Sequence, residues 1–450
     1  MFRLIFVFQT AEERLKAAQT TPGYPLTALK LIASAEVDGV TRQAAAVHFK
    51  NTIKKGWDVN REDGNEGIVI SPEDRNTIKT HLVQLMCTVP EQLQVQLSES
   101  ISLIAEADYP DQWQNLLGEL VQQFNSTDPA VVTGVLKTAN SIFKSFRYVE
   151  RSDDLYRIIL FTLNGIQAPI LALFKTTGQA VDAFANDPAQ LKPRLESLRL
   201  ICRIFYSLNY QDLPEFFEDH MGEWMTDFAK YLEYKNPAVA DEDEEAEPSP
   251  IDKLQAAIIR NLALYEDKDE EAFMEYLPKF TTIIWNLLIG LTSYPKHDDL
   301  ATTSIRFLSS LVQKQMHKAL FQDEATLRQI VAQIVIPNLM FRESDEERFE
   351  DDPREFITTE VEGSDSETRR KCSQDLLRAM CRHFEAETTK ICSEHVAIML
   401  SEFASDPNGK WRAKDAAVSM KHSRAQHSGK SLCALMSLTG FQFLFHRLTL

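Results

Sequence analysis

Three groupings in this 450-residue chain have side chains suited to chemistry. Gly429-Lys430-Ser431 resembles the end of a phosphate-binding loop, where backbone N–H groups and an ammonium cradle phosphate oxygens. The loop's first glycine would fall at position 424, which is Arg424, so the cradle lacks its turn. Asp58-Val-Asn60-Arg-Glu62-Asp63 alternates oxygen ligands as a calcium loop does. Its glycine position holds Asp63 and its closing carboxylate position holds Val69. Cys372, Cys381, His383, Cys392 and His395 are zinc-type ligands, but no two cysteines stand as CxxC. They read as helix-core cysteines with surface histidines. No GxSxG or HExxH occurs. The expectation is a protein that is not an enzyme, with no catalytic residue, no metal and no cofactor.

The elements that carry these residues read as helices. After Asp128-Pro129, apolar residues fall at Val132, Val135, Leu136, Ala139, Phe143 and Phe146, one face of an α-helix. Asp128 suits the N-cap and Pro129 the first helical position. Ser71-Pro72-Glu73-Asp74 repeats that start signal ahead of Ile78, Leu82 and Leu85. Asp38/Arg42 and Asp365/Arg369 each place an acid four residues before an arginine, which suits a helix start and an i,i+4 ion pair. No strand-like alternation bounded by turn residues is found. Helix pairs are expected at 11–36, 38–88, 90–125, 128–175, 188–234, 249–289, 296–341 and 369–405, with a ninth from about Asn408. Their irregular spacing fits a diverged two-helix array of the HEAT kind, in which stacked neighbours supply the core.

Composition agrees. Only 15 glycines occur, too few for the Gly-rich turns of an all-β fold. A net charge of −18 argues against nucleic acid, whose phosphates need clustered Lys and Arg, and suits a partner with basic patches. Six cysteines are no disulfide framework and fit a reducing compartment. The Asn125-Ser126-Thr127 sequon has meaning only in a secreted chain. No strict apolar run reaches a membrane span, so a soluble chain with no membrane insertion is expected.

Two acidic segments break the helical pattern. Asp241–Glu247, followed by Pro248-Ser-Pro250, reads as a solvated loop (241–250). Residues 342–367 hold twelve acidic and three basic residues together with Phe349, Phe356 and Ile357. Disordered acidic runs are poor in aromatics, so this is read as an ordered insertion that docks its apolar residues and turns carboxylates toward a partner.

Several strings resemble nuclear transport receptors of the importin-β superfamily. Ala44–Trp57 (AAAVHFKNTIKKGW) is similar to the end of the importin-β N-terminal domain. Phe205–Met225 (FYSLNYQDLPEFFEDHMGEWM), Ile104–Leu117, Phe273–Leu288 and Phe349–Met380 resemble the exportin-2 type, also called CAS. The resemblance implies an all-α, right-handed superhelical solenoid of HEAT-type helix pairs. It implies an importin-β N-terminal-like region at 1–57, a HEAT array at 58–418 and an atypical tail at 419–450. It also implies binding of the GTP-bound small GTPase Ran and of importin-α for nuclear export of importin-α. Nucleoporins are further partners it suggests, with residence in nucleus and cytoplasm. Carried onto this chain, the Ran surface would include Lys50, Asn51 and Lys54, with Glu347, Asp351, Asp352 and Glu360 offered by the insertion.

Two departures accompany the match. MFRLIFVFQT stands where the family has its first helix, and from Met420 to Leu450 no acidic residue occurs. Family members are much longer, so compromised transport is expected. The competing readings are an import receptor of the same superfamily, a HEAT scaffold unrelated to transport such as a phosphatase scaffold, and, last, an enzyme.

Overall fold

The computed structural model describes residues 13–15, 17–58, 68, 70–240, 243–268, 270–360 and 367–427. The opening MFRLIFVFQT, Asp365 and the phosphate-loop-like 429–431 lie outside them. No strand occurs among the described residues. The chain divides into two compact units, Met1–Met221 and Gly222–Leu450.

In the first unit, helices α1 (Tyr24–Ala33), α2 (Gly39–Gly56), α3 (Pro72–Thr88), α4 (Glu91–Asp108), α5 (Leu116–Gln122), α6 (Pro129–Lys144), α7 (Asp153–Ala183) and α8 (Pro188–Asn209) precede the short α9 (Glu215–Asp219). They form two layers. Helices α2, α4, α6 and α8 pack in succession as one layer, while α3, α5 and α7 form the other. The starts are chemically specified. Asp128 accepts from the Ala130 amide at 2.9 Å, and Ser71 accepts from the Asp74 amide at 3.1 Å. The face proposed for α6 is buried from Val132 to Phe143, with Phe146 buried just beyond its end. Fully burying such a Val, Leu or Phe side chain is worth roughly 1.5–3 kcal/mol.

Two of the pairs expected in this unit are out of phase by one helix. Helix α3 packs on α4 and α7 on α8, whereas the sequence grouped α2 with α3 and α6 with α7. Apolar periodicity marks which face is buried but not which neighbour covers it. Of the two expected i,i+4 ion pairs, only Asp38/Arg42 falls within the described residues, and it gives way. Arg42 donates instead to the Ile32 carbonyl at 2.9 Å. Arg369, whose expected partner Asp365 is outside the described residues, donates to Asp298 at 2.6 Å. Helix α7 is by length and composition apolar enough to cross a membrane, although it holds no unbroken apolar run of that length. Asn164, Gln167 and Lys175 interrupt the run while the average stays apolar. Its Leu155, Ile159, Leu163, Ile166, Ile170 and Phe174 are buried.

The second unit contains α10 (Met221–Leu232, starting at the boundary), α11 (Pro250–Lys268), α12 (Leu277–Ile289) and α13 (Asp298–Gln313). The helical run α14 (324–339) joins α-helical Glu324–Gln329, a π segment at Ile330–Val335 and α-helical Ile336–Leu339, and α15 (Glu343–Asp351) and α16 (Pro353–Glu360) follow it. The last helices are α17 (Arg369–His383), α18 (Glu385–Ser405) and α19 (Trp411–His427). Helices α11, α13, α17 and α19 pack in succession as a layer. Cys372, Cys381 and Cys392 are buried.

Candidate partner-binding surfaces

Helix α2 begins where Asp38 accepts from the Thr41 amide at 3.0 Å and its hydroxyl at 2.6 Å, bonds that lower the Asp38 pKa. Its inward face buries Ala46, Phe49 and Ile53. The opposite stripe, at roughly helical spacing, carries Val40, Ala44, Val47, Asn51 and Lys54, all exposed. Val47 is 37% exposed because it falls on this stripe. Gly39, Val40, Gln43, Ala44, Val47, His48, Asn51 and Gln92 line a shallow groove of about 590 Å³. At its edge Gln19 Nε2 lies 3.0 Å from His48 Nε2, and Tyr24 meets the imidazole edge-on. Burial, then Lys55, lowers the His48 pKa.

Of the three candidates here, Lys50 is half-buried and paired with Glu99 on α4 at 3.2 Å, whereas Asn51 and Lys54 are exposed. Lys54 and Lys55 also sit in the last turn of α2, where cations oppose the negative end of the helix dipole.

The described part of the acidic insertion, up to Glu360, folds as α15 and α16. Phe341, Phe349 and Phe356 form a buried cluster, with Ile357 and Trp411 of α19 packed against it. The rings of Phe341 and Trp411 stand 5.3 Å apart, and those of Phe349 and Phe356 meet edge-on at 5.6 Å. The expected docking of aromatics is therefore observed.

Beneath the cluster lies a network of arginines and carboxylates. Arg342 donates to Asp298 at 2.7 Å and to Asp345 at 3.0 Å. Arg369 donates to the same Asp298 at 2.6 Å and to the carbonyls of Thr292 and Tyr294 at 3.0 and 3.1 Å. Arg370 donates to Asp415 at 2.8 Å and to the Leu339 carbonyl at 2.7 Å, and lies 3.9 Å from Glu360. Burial opposes the charge of Asp345, yet the Arg342 guanidinium wins and holds that carboxyl below its usual range. Glu360 goes the other way, because burial raises its pKa more than Arg370 lowers it.

The four insertion candidates thus divide. Glu347, Asp351 and Asp352 are exposed, and Asp352 also caps α16 by accepting from the Glu355 amide at 2.9 Å. The Glu360 side chain is turned inward and accepts from the Thr368 hydroxyl at 3.1 Å. The arginine network was not foreseen. One signal pointed to it: Arg369 and Arg370 open α17, where cations oppose the helix dipole unless carboxylates answer them.

Residues 142–437 match Cse1, and residues 11–88 match the Importin-beta N-terminal domain. The chain belongs to the Cse1 family. It is 41% identical over 441 residues to Exportin-2 of Oreochromis niloticus, covering 97% of this chain and 45% of that relative. It is 40% identical over 437 residues to Exportin-2 of Homo sapiens, covering 96% of this chain and 44% of the relative. The chain therefore spans somewhat under half the length of these curated relatives. Among solved structures, the exportin Cse1 in its cargo-free, cytoplasmic state superposes with a TM-score of 0.86 at 35% identity, over 94% of this chain and 45% of that one. Importin beta, at 16% identity and a TM-score of 0.61 over 93% of this chain and 44% of its own, shares the fold. The all-α class of stacked HEAT-type helices, expected from sequence, is that of the Cse1 family and its importin-β relatives.

Proposed function

We propose that this chain acts as a nuclear export receptor of the exportin-2 type, binding Ran-GTP and importin-α and moving between nucleus and cytoplasm. The observation that carries the reading is family membership along almost the whole chain, together with an insertion whose aromatics are buried and whose Glu347, Asp351 and Asp352 face solvent. The exposed α2 stripe with Asn51 and Lys54 supplies a second contact surface, and Lys50 contributes once drawn from Glu99. In this reading Glu360 positions the insertion and does not touch Ran. The receptor supplies shape and charge while the GTPase performs hydrolysis. Two ligands that favour one receptor conformation raise each other's affinity, so Ran-GTP and importin-α bind cooperatively.

The test is retention of the full chain on immobilised Ran-GTP and on Ran-GDP, each with and without importin-α. Retention is expected on the GTP form alone and is strengthened by importin-α. Equal retention on both nucleotide forms overturns the Ran assignment, and indifference to importin-α overturns the export assignment.

A further inference from the structure

The Phe205–Met225 segment holds more than core. Phe205 and Phe217 are buried and meet edge-on at 4.8 Å, which accounts for part of its aromatic content. Its acids Asp212, Glu215 and Asp219 stay exposed. Between the first turns of α7 and the loop Gln211–Pro214 leading into α9 lies a groove of about 500 Å³. Its apolar lining includes Leu160, Leu213, Pro214 and Phe216, and Leu160 is 60% exposed although it sits on a helix with a well-filled core face. The Phe216 ring is held by stacking on His220 at 4.1 Å, and the His220 Nδ1 lies 2.8 Å from the Phe216 carbonyl. The groove is therefore a shaped apolar trough within the volume range of ligand sites.

Three exposed carboxylates stand at its rim: Asp212, Glu215 and Asp219. Asp212 accepts from the Tyr156 hydroxyl. Glu215 and Asp219 have no ion-pair partner among the described residues. No lysine or arginine lines the groove; Arg151, nearby, is committed to Gln211, donating at 3.2 and 2.7 Å. An apolar floor rimmed by three exposed carboxylates, two of them without an ion-pair partner among the described residues, complements a segment that brings both an apolar side chain and cations.

We propose that this groove docks a short, extended partner segment in which a large apolar residue is flanked by lysine or arginine. The apolar side chain enters between Leu160 and Phe216, and the flanking cations meet Glu215, Asp219 and Asp212. The groove lies in the first unit and contains none of the residues assigned to Ran, so the inference stands apart from the proposed function.

The probe is a fluorescein-labelled Lys-Arg-Leu-Phe-Lys-Arg peptide titrated into the full chain by fluorescence anisotropy. Controls replace its cations with glutamine or present a neutral Phe-Gly repeat peptide. Binding of the basic peptide is expected, with at least a tenfold loss in the Asp212→Asn/Glu215→Gln/Asp219→Asn variant and in Leu160→Ser. Both change exposed side chains, and circular dichroism checks that the fold is kept. Hydrogen exchange on peptide addition is expected to slow over residues 156–167 and 211–219. Equal binding of the neutral peptides, unchanged affinity in the triple variant, or protection confined to other residues overturns the proposal. A chain that fails on Ran-GTP yet binds the basic peptide here sinks the first reading and leaves this one standing.

Discussion

Asp298 carries more than its position suggests, since one carboxylate accepts from both Arg342 and Arg369. Removing one partner of a buried ion pair strands the other in a poorly hydrated site. Asp298 is about one-third exposed and Arg369 keeps two carbonyl partners, so the loss is moderated. Asp298→Ala is expected to cost about 2 kcal/mol, less than a fully buried pair would lose, read as a shift in the urea midpoint. A second residue-level test concerns Glu360. Its pKa is raised in the folded protein, mainly by burial. The folded state therefore holds this proton more tightly than the unfolded chain, and the stabilisation is complete below the unfolded carboxylate pKa. It is lost as pH rises through the folded value. Asp345, lowered by Arg342, contributes in the opposite sense, losing its stabilisation as pH falls through its folded pKa. Thermal midpoints compared between the native chain and Glu360→Gln should diverge in one direction, with the variant gaining on the native protein as pH climbs from about 4.5 toward neutrality. Parallel curves would show that Glu360 does not titrate differently in the two states.

At the scale of elements, the insertion is the place where sequence and structure agree most usefully. Phe349 and Phe356 stood out because an acidic run has no use for aromatics unless they are buried, and both are. N-caps at Asp128 and Ser71 were legible for a similar reason, since the cap lies within a few residues of the amide it serves. The clamp that seats the insertion was not legible. Arg369 and Asp298 are 71 residues apart, and Arg370 and Asp415 are 45 apart. Such partners are chosen by tertiary packing, so a single sequence offers only the hint of two arginines at an unfavourable helix end. Glu360 was misplaced among exposed carboxylates for the same reason, as nothing local marks which acid of an acidic run turns inward. Phe356→Ala removes a ring from the cluster and is expected to cost about 3 kcal/mol, the lower end for a buried Phe. The loss should be local. Hydrogen exchange across 343–360 should accelerate while α11 and α13 keep their protection, whereas uniform acceleration would show that the insertion is integral to the stack.

At the scale of the whole molecule, the dominant quantity is a net charge of −18. Charge of one sign repels itself within the chain and attracts a basic partner before contact. The Debye length falls from about 10 Å at 0.1 M salt to about 3 Å at 1 M, so the attraction at a distance is the first component that salt removes. Contacts made after docking, such as an apolar residue entering a groove, are screened far less. If Ran-GTP is drawn to the exposed carboxylates of the insertion, its association rate should fall about tenfold or more between 0.05 and 0.5 M salt, while the dissociation rate changes little. Neutralising Glu347, Asp351 and Asp352 together as Gln, Asn and Asn should reproduce part of that fall at low salt and flatten the remaining salt dependence. Biolayer interferometry on immobilised Ran-GTP separates the two rates. A salt effect carried by dissociation alone, or a triple variant with native association kinetics, would remove the insertion from the steering role and leave the α2 stripe as the surface to pursue.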